Sequence, residues 1–162
     1  MKSIKITVLF FTSLFLTYCS STPENTKPMV KKTLEIKASK DQVWSALTDE
    51  KELAQWWHEG MKLEPKEGGE FYEPWGKGQV AKGKVMAFEP QKSIRFSWQE
   101  NTWKPGQISV CEFILNEDNG LTTLIVNHSG WGSFSDPEQM AEGFNKGWDF
   151  ILPKLKTYLE KP

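Results

Sequence analysis

The chain has 162 residues, of which 38% are hydrophobic and 25% are charged, and its net charge is -1. This length fits one globular domain with an N-terminal extension. A charge near zero with no basic run argues against a nucleic-acid partner, because such partners bind basic surfaces. The 8 Trp and 10 Phe residues predict either a bulky solid core or the aromatic wall of a cavity.

The N-terminus has the pattern of an export signal. Lys2 and Lys5 lead into an apolar run at residues 6–16, which is too short for an ordinary membrane-spanning helix. The letters LTYC that follow resemble a bacterial lipobox, whose cysteine, here Cys19, is lipidated and becomes the mature N-terminus. Tyr18 stands where a small residue is usual, so cleavage without lipidation and an uncleaved anchor are the alternatives. Ser20 resembles a signal for sorting to the outer membrane.

These features divide the chain into a signal peptide at residues 1–18, a lipidated flexible tether at 19–28 and a folded domain at 29–162. The tether is rich in Ser, Thr, Pro and Asn and has no apolar periodicity, which is typical of flexible segments. We therefore expect an exported protein, anchored by lipid in the bacterial cell envelope at the outer membrane, with its domain in water.

Cys111 is left without a disulfide partner if Cys19 is acylated. It alternates with Phe113 and Leu115, which predicts a small buried side chain. A catalytic thiolate is the alternative, but the sequence identifies no base that would activate it.

The folded domain begins with one strand and two short helices. Alternating side chains at residues 33–38 predict the strand. Ser39 has the residue type of an N-cap, and a second helix starts at Asp49 or Glu50 and runs through Trp56. This pair resembles a helix–turn–helix only loosely and has no basic recognition surface, so we do not expect DNA binding.

A run of antiparallel strands follows. Gly68 and Gly69 predict a tight turn or bulge before a strand that carries Phe71 and Trp75. Turn-forming residues then separate four further predicted strands, at residues 80–88, 94–98, 108–115 and 122–128.

The last element is a long amphipathic helix at residues 137–160. Its apolar residues recur at three- and four-residue steps, Asp136 is the expected N-cap, and Pro137 occupies the first helical position, where a missing N–H costs nothing. Pro153 predicts a bend near Asp149. Gly143 and Gly147, one turn apart, predict close backbone approach. Since one large helix must cover the whole antiparallel run, the sheet should curl around it in an α+β fold.

Five stretches in this order resemble the START-like helix-grip superfamily, and more closely its branch of activator-of-heat-shock-protein-ATPase homologues. They are DQVWSALTDEKELAQWW, GGEFYE, GKVMAFEPQKSIRFSW, NHSGW and GWDFILPKLKTYL, and the resemblance spans about residues 30–160. It implies a curved antiparallel sheet wrapped around the long C-terminal helix, with two short helices after the first strand. The branch name also implies a co-chaperone role, but an exported lipoprotein would meet neither a cytosolic chaperone nor ATP, so we do not expect this role.

The resemblance further implies a cavity between the sheet and the long helix. Carried over by position, the wall of this cavity comprises Trp56, Phe71, Trp75, Phe96, Trp98, Phe113, Val126, His128, Phe144 and Trp148. The alternative is that these side chains simply fill the core.

The remaining polar candidates have alternative interpretations. His128 on an inward strand face could orient a ligand or act as an acid or base, although a His there more often bonds a neighbouring group. His58 is expected in an exposed loop, and Glu70 and Glu73 are expected to face water. Any of Glu70, Glu73 and Glu89 could supply a general base if turned inward. No HExxH, CxxC or GxSxG pattern occurs, so we expect no metal, no cofactor and no hydrolase nucleophile.

Three functional hypotheses remain open. The first is a membrane-anchored, non-enzymatic domain that binds a small apolar or amphipathic ligand, such as a lipid or an aromatic metabolite, in the cavity. The second is a protein-interaction module of the cell envelope with a filled core, whose exposed Trp57, Trp103 and Trp131 are the anchors. The third is a cyclase- or hydratase-type enzyme that uses His128.

Overall fold

The computed structural model describes residues 30–161, so the predicted signal peptide, the tether and Cys19 lie outside the described residues. The strands are β1 (Val30–Ile36), β2 (Lys62–Leu63), β3 (Glu70–Gly76), β4 (Gln79–Glu89), β5 (Ser93–Glu100), β6 (Ser109–Asp118) and β7 (Leu121–Ser129). The helices are α1 (Lys40–Thr48), α2 (Glu50–Trp56) and α3 (Pro137–Leu159), and a short 3-10 turn covers Trp131–Ser133.

The seven strands form one antiparallel sheet in the order β1-β7-β6-β5-β4-β3-β2. Only β1 departs from sequential order, because it pairs with β7 and places Val30 opposite His128. The predicted α+β helix-grip fold is therefore confirmed, with β2 as a short strand that the sequence patterns did not reveal.

The helix starts follow from local capping. The Ser39 side chain accepts a hydrogen bond from the Gln42 N–H and the Gln42 side chain accepts one from the Ser39 N–H, which makes a capping box. Asp49 accepts from the N–H groups of Lys51 and Glu52 at the start of α2. At the start of α3, Asp136 accepts from the Gln139 N–H. The predicted N-caps Ser39 and Asp136 are confirmed, and Asp49 caps α2, which begins at Glu50, one of its two predicted starts.

The long helix α3 lies against the sheet through its apolar face. Trp148, Ile151, Leu152 and Leu155 are buried on it, and full burial of such a side chain is worth about 1.5–3 kcal/mol. Lys32 of β1 donates to Asp149 of α3 at 2.6 Å. One face of the curved sheet is thus closed by this helix, which decides where a pocket can form.

Two glycine predictions have different outcomes. Gly68, at a φ of +72°, forms the predicted tight turn, and a Cβ on Gly69 would lie 2.4 Å from the Glu64 carbonyl oxygen. By contrast, a Cβ on Gly143 or Gly147 would meet no atom within 4 Å. The predicted close backbone approach in α3 is therefore wrong, because these glycines face open space. The bend near Asp149 stays a prediction.

Candidate functional site

Most of the predicted cavity is occupied by the side chains that were predicted to line it. Six of the ten predicted side chains are buried in the core and do not line the pocket described below: Trp56, Phe71, Phe96, Phe113, Val126 and His128. The ring centroids of Phe71 and Phe96 are 4.6 Å apart, and those of Phe96 and Phe113 are 5.4 Å apart. These are the distances of packed aromatic pairs, so the filled-core alternative holds for this part of the domain.

A pocket of about 240 Å³ remains between β3, β5, the end of α2 and the middle of α3. Its lining residues are Trp57, His58, Glu73, Trp75, Trp98, Phe144, Gly147, Trp148, Phe150 and Ile151. Four of these, Trp75, Trp98, Phe144 and Trp148, belong to the predicted wall. The lining is aromatic and apolar apart from His58, Glu73 and the indole N–H groups.

Strand alternation places a carboxyl group in this pocket. In β3 the side chains of Phe71 and Glu73 are buried, while Glu70 and Tyr72 are on the other face. The expectation that Glu73 faces water is wrong, because Glu73 is two residues from Phe71 and therefore shares its face. Glu70 does lie on the opposite face from Phe71.

The Glu73 carboxyl is only partly satisfied. Its Oε1 accepts a hydrogen bond from Trp57 Nε1 at 2.6 Å, and His58 Nε2 lies 3.6 Å from the same oxygen. Its Oε2 is buried and accepts no hydrogen bond from any group within residues 30–161. Burial raises the pKa of Glu73 to about 8, against the lowering effect of the Trp57 and Trp75 indoles and with a small further increase from Glu100. The pocket therefore contains a mainly protonated acid at neutral pH.

The rim of the pocket is exposed and partly cationic. Trp75 and Phe150 are 45% and 68% exposed, and Lys154 Nζ lies 4.0 Å from the centre of the Phe150 ring. His58 is at the rim, with its side chain 40% exposed. Burial, followed by the charge of Lys154, lowers the pKa of His58. The predicted exposure of His58 is thus confirmed only in part.

His128 lies beside the pocket but does not line it. Trp148 Nε1 donates to its Nδ1 at 3.3 Å, so its Nε2 carries the proton and donates to Ser109 Oγ at 2.9 Å. Ser109 in turn donates to the Trp98 carbonyl at 3.4 Å. Burial lowers the pKa of His128 to about 3. Both ring nitrogens are engaged and the ring stays neutral, which favours the structural interpretation of this residue.

The family model described as "Activator of Hsp90 ATPase homolog 1-like protein" matches residues 37–160. The chain belongs to this family. The fold of the Activator of Hsp90 ATPase homolog 1-like family is thus shown for most of the chain, as the sequence resemblance predicted. No curated protein matches the chain.

Solved structures with this fold include proteins of different settings. MLL2253 from Mesorhizobium loti is 25% identical, with a TM-score of 0.69, over 81% of this chain and 97% of that one. The Aha1 dimer from Colwellia psychrerythraea is 25% identical, with a TM-score of 0.67, over 81% and 95%. DynU16, a protein in the dynemicin biosynthetic locus, is 25% identical, with a TM-score of 0.69, over 82% of this chain. The match spans only 47% of DynU16.

Two of the three predicted surface anchors are not on the surface of this family member. Trp57 and Trp131 are 6% and 1% exposed. Trp57 turns inward because its indole N–H donates a hydrogen bond to Glu73. Trp131 packs on Phe144, with 5.6 Å between the ring centroids. Trp103 is half-buried against Phe134, with 4.8 Å between the ring centroids. The expectation that Trp57 and Trp131 are exposed is therefore wrong.

The remaining candidates lie outside the pocket. Cys111 is fully buried, as predicted, and burial raises the pKa of its thiol well above the usual range. Glu89 is exposed and pairs with Lys92 at 2.6 Å. Within residues 30–161, no group of three or more His, Cys, Asp or Glu side chains is placed to hold a metal ion. Over the same residues, no helix has both the length and the apolar character needed to cross a membrane.

The sequence contained signals for the lining residues that were not predicted. Gly147 and Ile151 follow Phe144 at steps of three and four, so they share its face of α3. Glu73 shares a strand face with Phe71. Trp57, however, directly follows the buried Trp56, and no periodicity predicts that both neighbours turn inward at the end of a helix.

Proposed function

We propose that this chain binds a small apolar or amphipathic molecule in the pocket between the sheet and α3. The observation that carries the proposal is the pocket itself, a concave site of about 240 Å³ whose wall is mostly aromatic rings with one buried carboxyl group. Ligand sites are typically apolar and contain a few polar groups that fix orientation.

The volume limits the size of the ligand. Pockets for drug-sized ligands are about 300–1,000 Å³, so this pocket suits a smaller molecule, such as a compound with one aromatic ring and a short chain. The exposed Trp75 and Phe150 at the rim would cover apolar parts that extend beyond it. The setting of the neighbour DynU16 in a biosynthetic locus is compatible with a ligand from small-molecule metabolism.

We also propose that the domain works while anchored at a membrane. The support is the N-terminal sequence alone, in which Lys2, the apolar run at 6–16 and Cys19 follow the order of a lipoprotein signal. Intact-mass analysis of the chain from a bacterial membrane fraction should find an acylated mature N-terminus at Cys19. A mature chain without acyl groups would contradict the anchor, and an uncleaved signal would contradict its lipid nature.

Native mass spectrometry of the purified full-length chain tests the binding proposal. We expect an extra mass that is retained under gentle conditions and lost on unfolding. Gly147→Leu should abolish it, because a side chain at Gly147 meets open space and extends into the pocket. Gly143→Leu is the matched control, since Gly143 is one turn away, has equal space and does not line the pocket.

The two variants separate binding in the pocket from binding elsewhere. An extra mass that persists in Gly147→Leu would place the ligand outside the pocket and contradict the proposal. The absence of any retained mass, together with no thermal shift against lipids and small aromatic compounds, would also contradict it.

A further inference from the structure

We infer that the ligand of this pocket carries a basic amine, which binds the free oxygen of the Glu73 carboxyl while its apolar part lies among the aromatic rings. This inference rests on the proposed function and specifies its ligand class. It depends on three features of the pocket: an acid with one free oxygen, the absence of a cation paired with it among residues 30–161, and the aromatic wall.

The first feature is the unpaired oxygen. Glu73 is 3% exposed and lines the pocket, and its Oε2 has no hydrogen-bond partner in the part of the chain that the structure describes. A buried polar atom without a partner costs about 1–3 kcal/mol of stability, so such atoms are uncommon and mark sites where a partner is missing. The other oxygen is held by Trp57, which fixes the orientation of the carboxyl.

The second feature is the charge around Glu73. On β5, Glu100 raises the pKa of Glu73, and on β6 the thiol of Cys111 is buried and neutral. After α2, His58 has a lowered pKa and is neutral. Lys154 of α3 lowers the pKa of His58, and its ammonium group lies over the Phe150 ring. It is not among the groups that shift the pKa of Glu73. Residues 30–161 place no cation against the free oxygen of Glu73, so the ligand would supply it.

The third feature is the wall around the acid. Trp75, Trp98 and Trp148 line the pocket with Glu73, and the faces of such rings attract cations as well as apolar groups. An ammonium group can thus exchange water for a carboxylate and aromatic faces. A ligand carboxylate would instead lie beside another carboxyl group and form no ion pair. A neutral alcohol would gain a hydrogen bond to Glu73 but no ion pair.

Proton release gives this binding mode a distinct signature. Glu73 is mainly protonated below pH 8, so an ammonium ligand that pairs with its carboxylate must displace one proton to solvent. Affinity should then rise about tenfold per pH unit between pH 6 and 7.5 and level off near pH 8. A neutral ligand should show no such dependence.

Three probes of similar size test the inference on the full-length chain: phenylethylamine, phenylethanol and phenylacetate. At pH 7.5 calorimetry should show phenylethylamine binding at least about tenfold more tightly than the other two, with about one proton released in buffers of different ionisation enthalpy. Glu73→Gln keeps the size of the side chain and should abolish both the amine preference and the proton release. Glu70→Gln, on the opposite face of β3, should retain both, and thermal unfolding verifies that each variant is folded.

The outcomes separate the inference from the proposed function. Equal binding of phenylethanol and phenylethylamine, tighter binding of phenylacetate, or an amine preference that survives Glu73→Gln would overturn the inference and leave a ligand-binding pocket in place. If none of the probes binds and native mass spectrometry finds no mass that depends on Gly147, both the inference and the proposed function are overturned.

Discussion

Two buried titratable residues lie on the same side of the sheet and differ in how they are satisfied. His128 on β7 has a partner on each ring nitrogen, Trp148 and Ser109. Glu73 on β3 has one oxygen bonded by Trp57 and one without a hydrogen-bond partner among the described residues. Both hydrogen-bonding atoms of the His128 ring are therefore used, whereas the Glu73 carboxyl keeps one oxygen available for a further hydrogen bond.

The difference shows which of the two groups is available to a ligand. A buried polar group that is fully bonded stabilises a specific packing, whereas one that is half bonded retains a desolvation cost that a ligand can remove. Trp148 contributes to both regions, since its N–H bonds His128 and its ring lines the pocket. The His128 network therefore supports the wall against which a ligand of Glu73 would lie.

The largest expected effect follows from removal of His128. His128→Ala leaves the Trp148 N–H and Ser109 without their partner and creates a cavity among aromatic rings, so the free energy of unfolding should fall by about 3–5 kcal/mol. Urea denaturation followed by circular dichroism measures this change. His58→Ala, at the exposed rim, should cost less than about 1 kcal/mol. Equal effects of the two substitutions would mean that the His128 network is not structural.

Glu73 and His128 should change the free energy of unfolding in opposite directions as the pH rises. The folded pKa of Glu73, about 8, is above its ordinary value of 4.5, so this residue lowers stability as pH rises between these values. The folded pKa of His128, about 3, is below 6.5, so this residue lowers stability as pH falls between these values. The two contributions oppose each other between pH 4.5 and 6.5, and only Glu73 acts between 6.5 and 8.

Wild-type protein should therefore lose stability above pH 6.5 by about 1.4 kcal/mol per pH unit, or about 2 kcal/mol by pH 8. Glu73→Gln should lack this loss while keeping the decline at acidic pH. Urea denaturation at a series of pH values measures both. A wild-type curve that stays flat from pH 6.5 to 8 would show that Glu73 is ionised in the folded protein and would contradict its raised pKa.

A smaller effect should follow from removing only the hydrogen-bond partner of His128 Nε2. Ser109→Ala leaves the His128 Nε2–H without its acceptor in a fully buried site, which should cost about 1–2 kcal/mol. Ser97→Ala is the matched control, because the Ser97 hydroxyl bonds Lys84 near the surface and should cost clearly less. Chemical denaturation compares the two, and a larger loss for Ser97→Ala would contradict this ranking.

The smallest effects concern the glycines of α3. Since both positions are open, Gly143→Ala and Gly147→Ala should each stabilise the chain by about 0.5–1 kcal/mol through helix propensity alone. Thermal unfolding measures the increase. Destabilisation by either substitution would mean that its backbone is packed closely after all.

Much of the fold could be predicted because its signals are local. Ser39, Asp49 and Asp136 cap the helices where the sequence indicated, and alternation located the strands that carry Phe96 and Phe113. The candidate site was predicted less well. Four of the ten proposed wall residues line the pocket, and Glu73 was assigned to the wrong face although its spacing from Phe71 placed it inward.

The errors on Trp57 and Trp131 have a different cause. Both lie at or next to turns, where no period predicts a buried face, and both are buried by contacts with residues distant in sequence, Glu73 and Phe144. No local pattern contains these contacts.

By itself, the sequence determined the order of the elements other than β2, most of the caps and the alternation of side chains along the longer strands, since these depend on residues a few positions apart. Only the tertiary structure decided which inward side chains meet one another and which meet open space. Glu73 and His128 have the same pattern in sequence, a polar residue on an apolar strand face. His128 is closed by Ser109 and Trp148, whereas Glu73 shares its pocket with Gly147, which has no side chain to fill it.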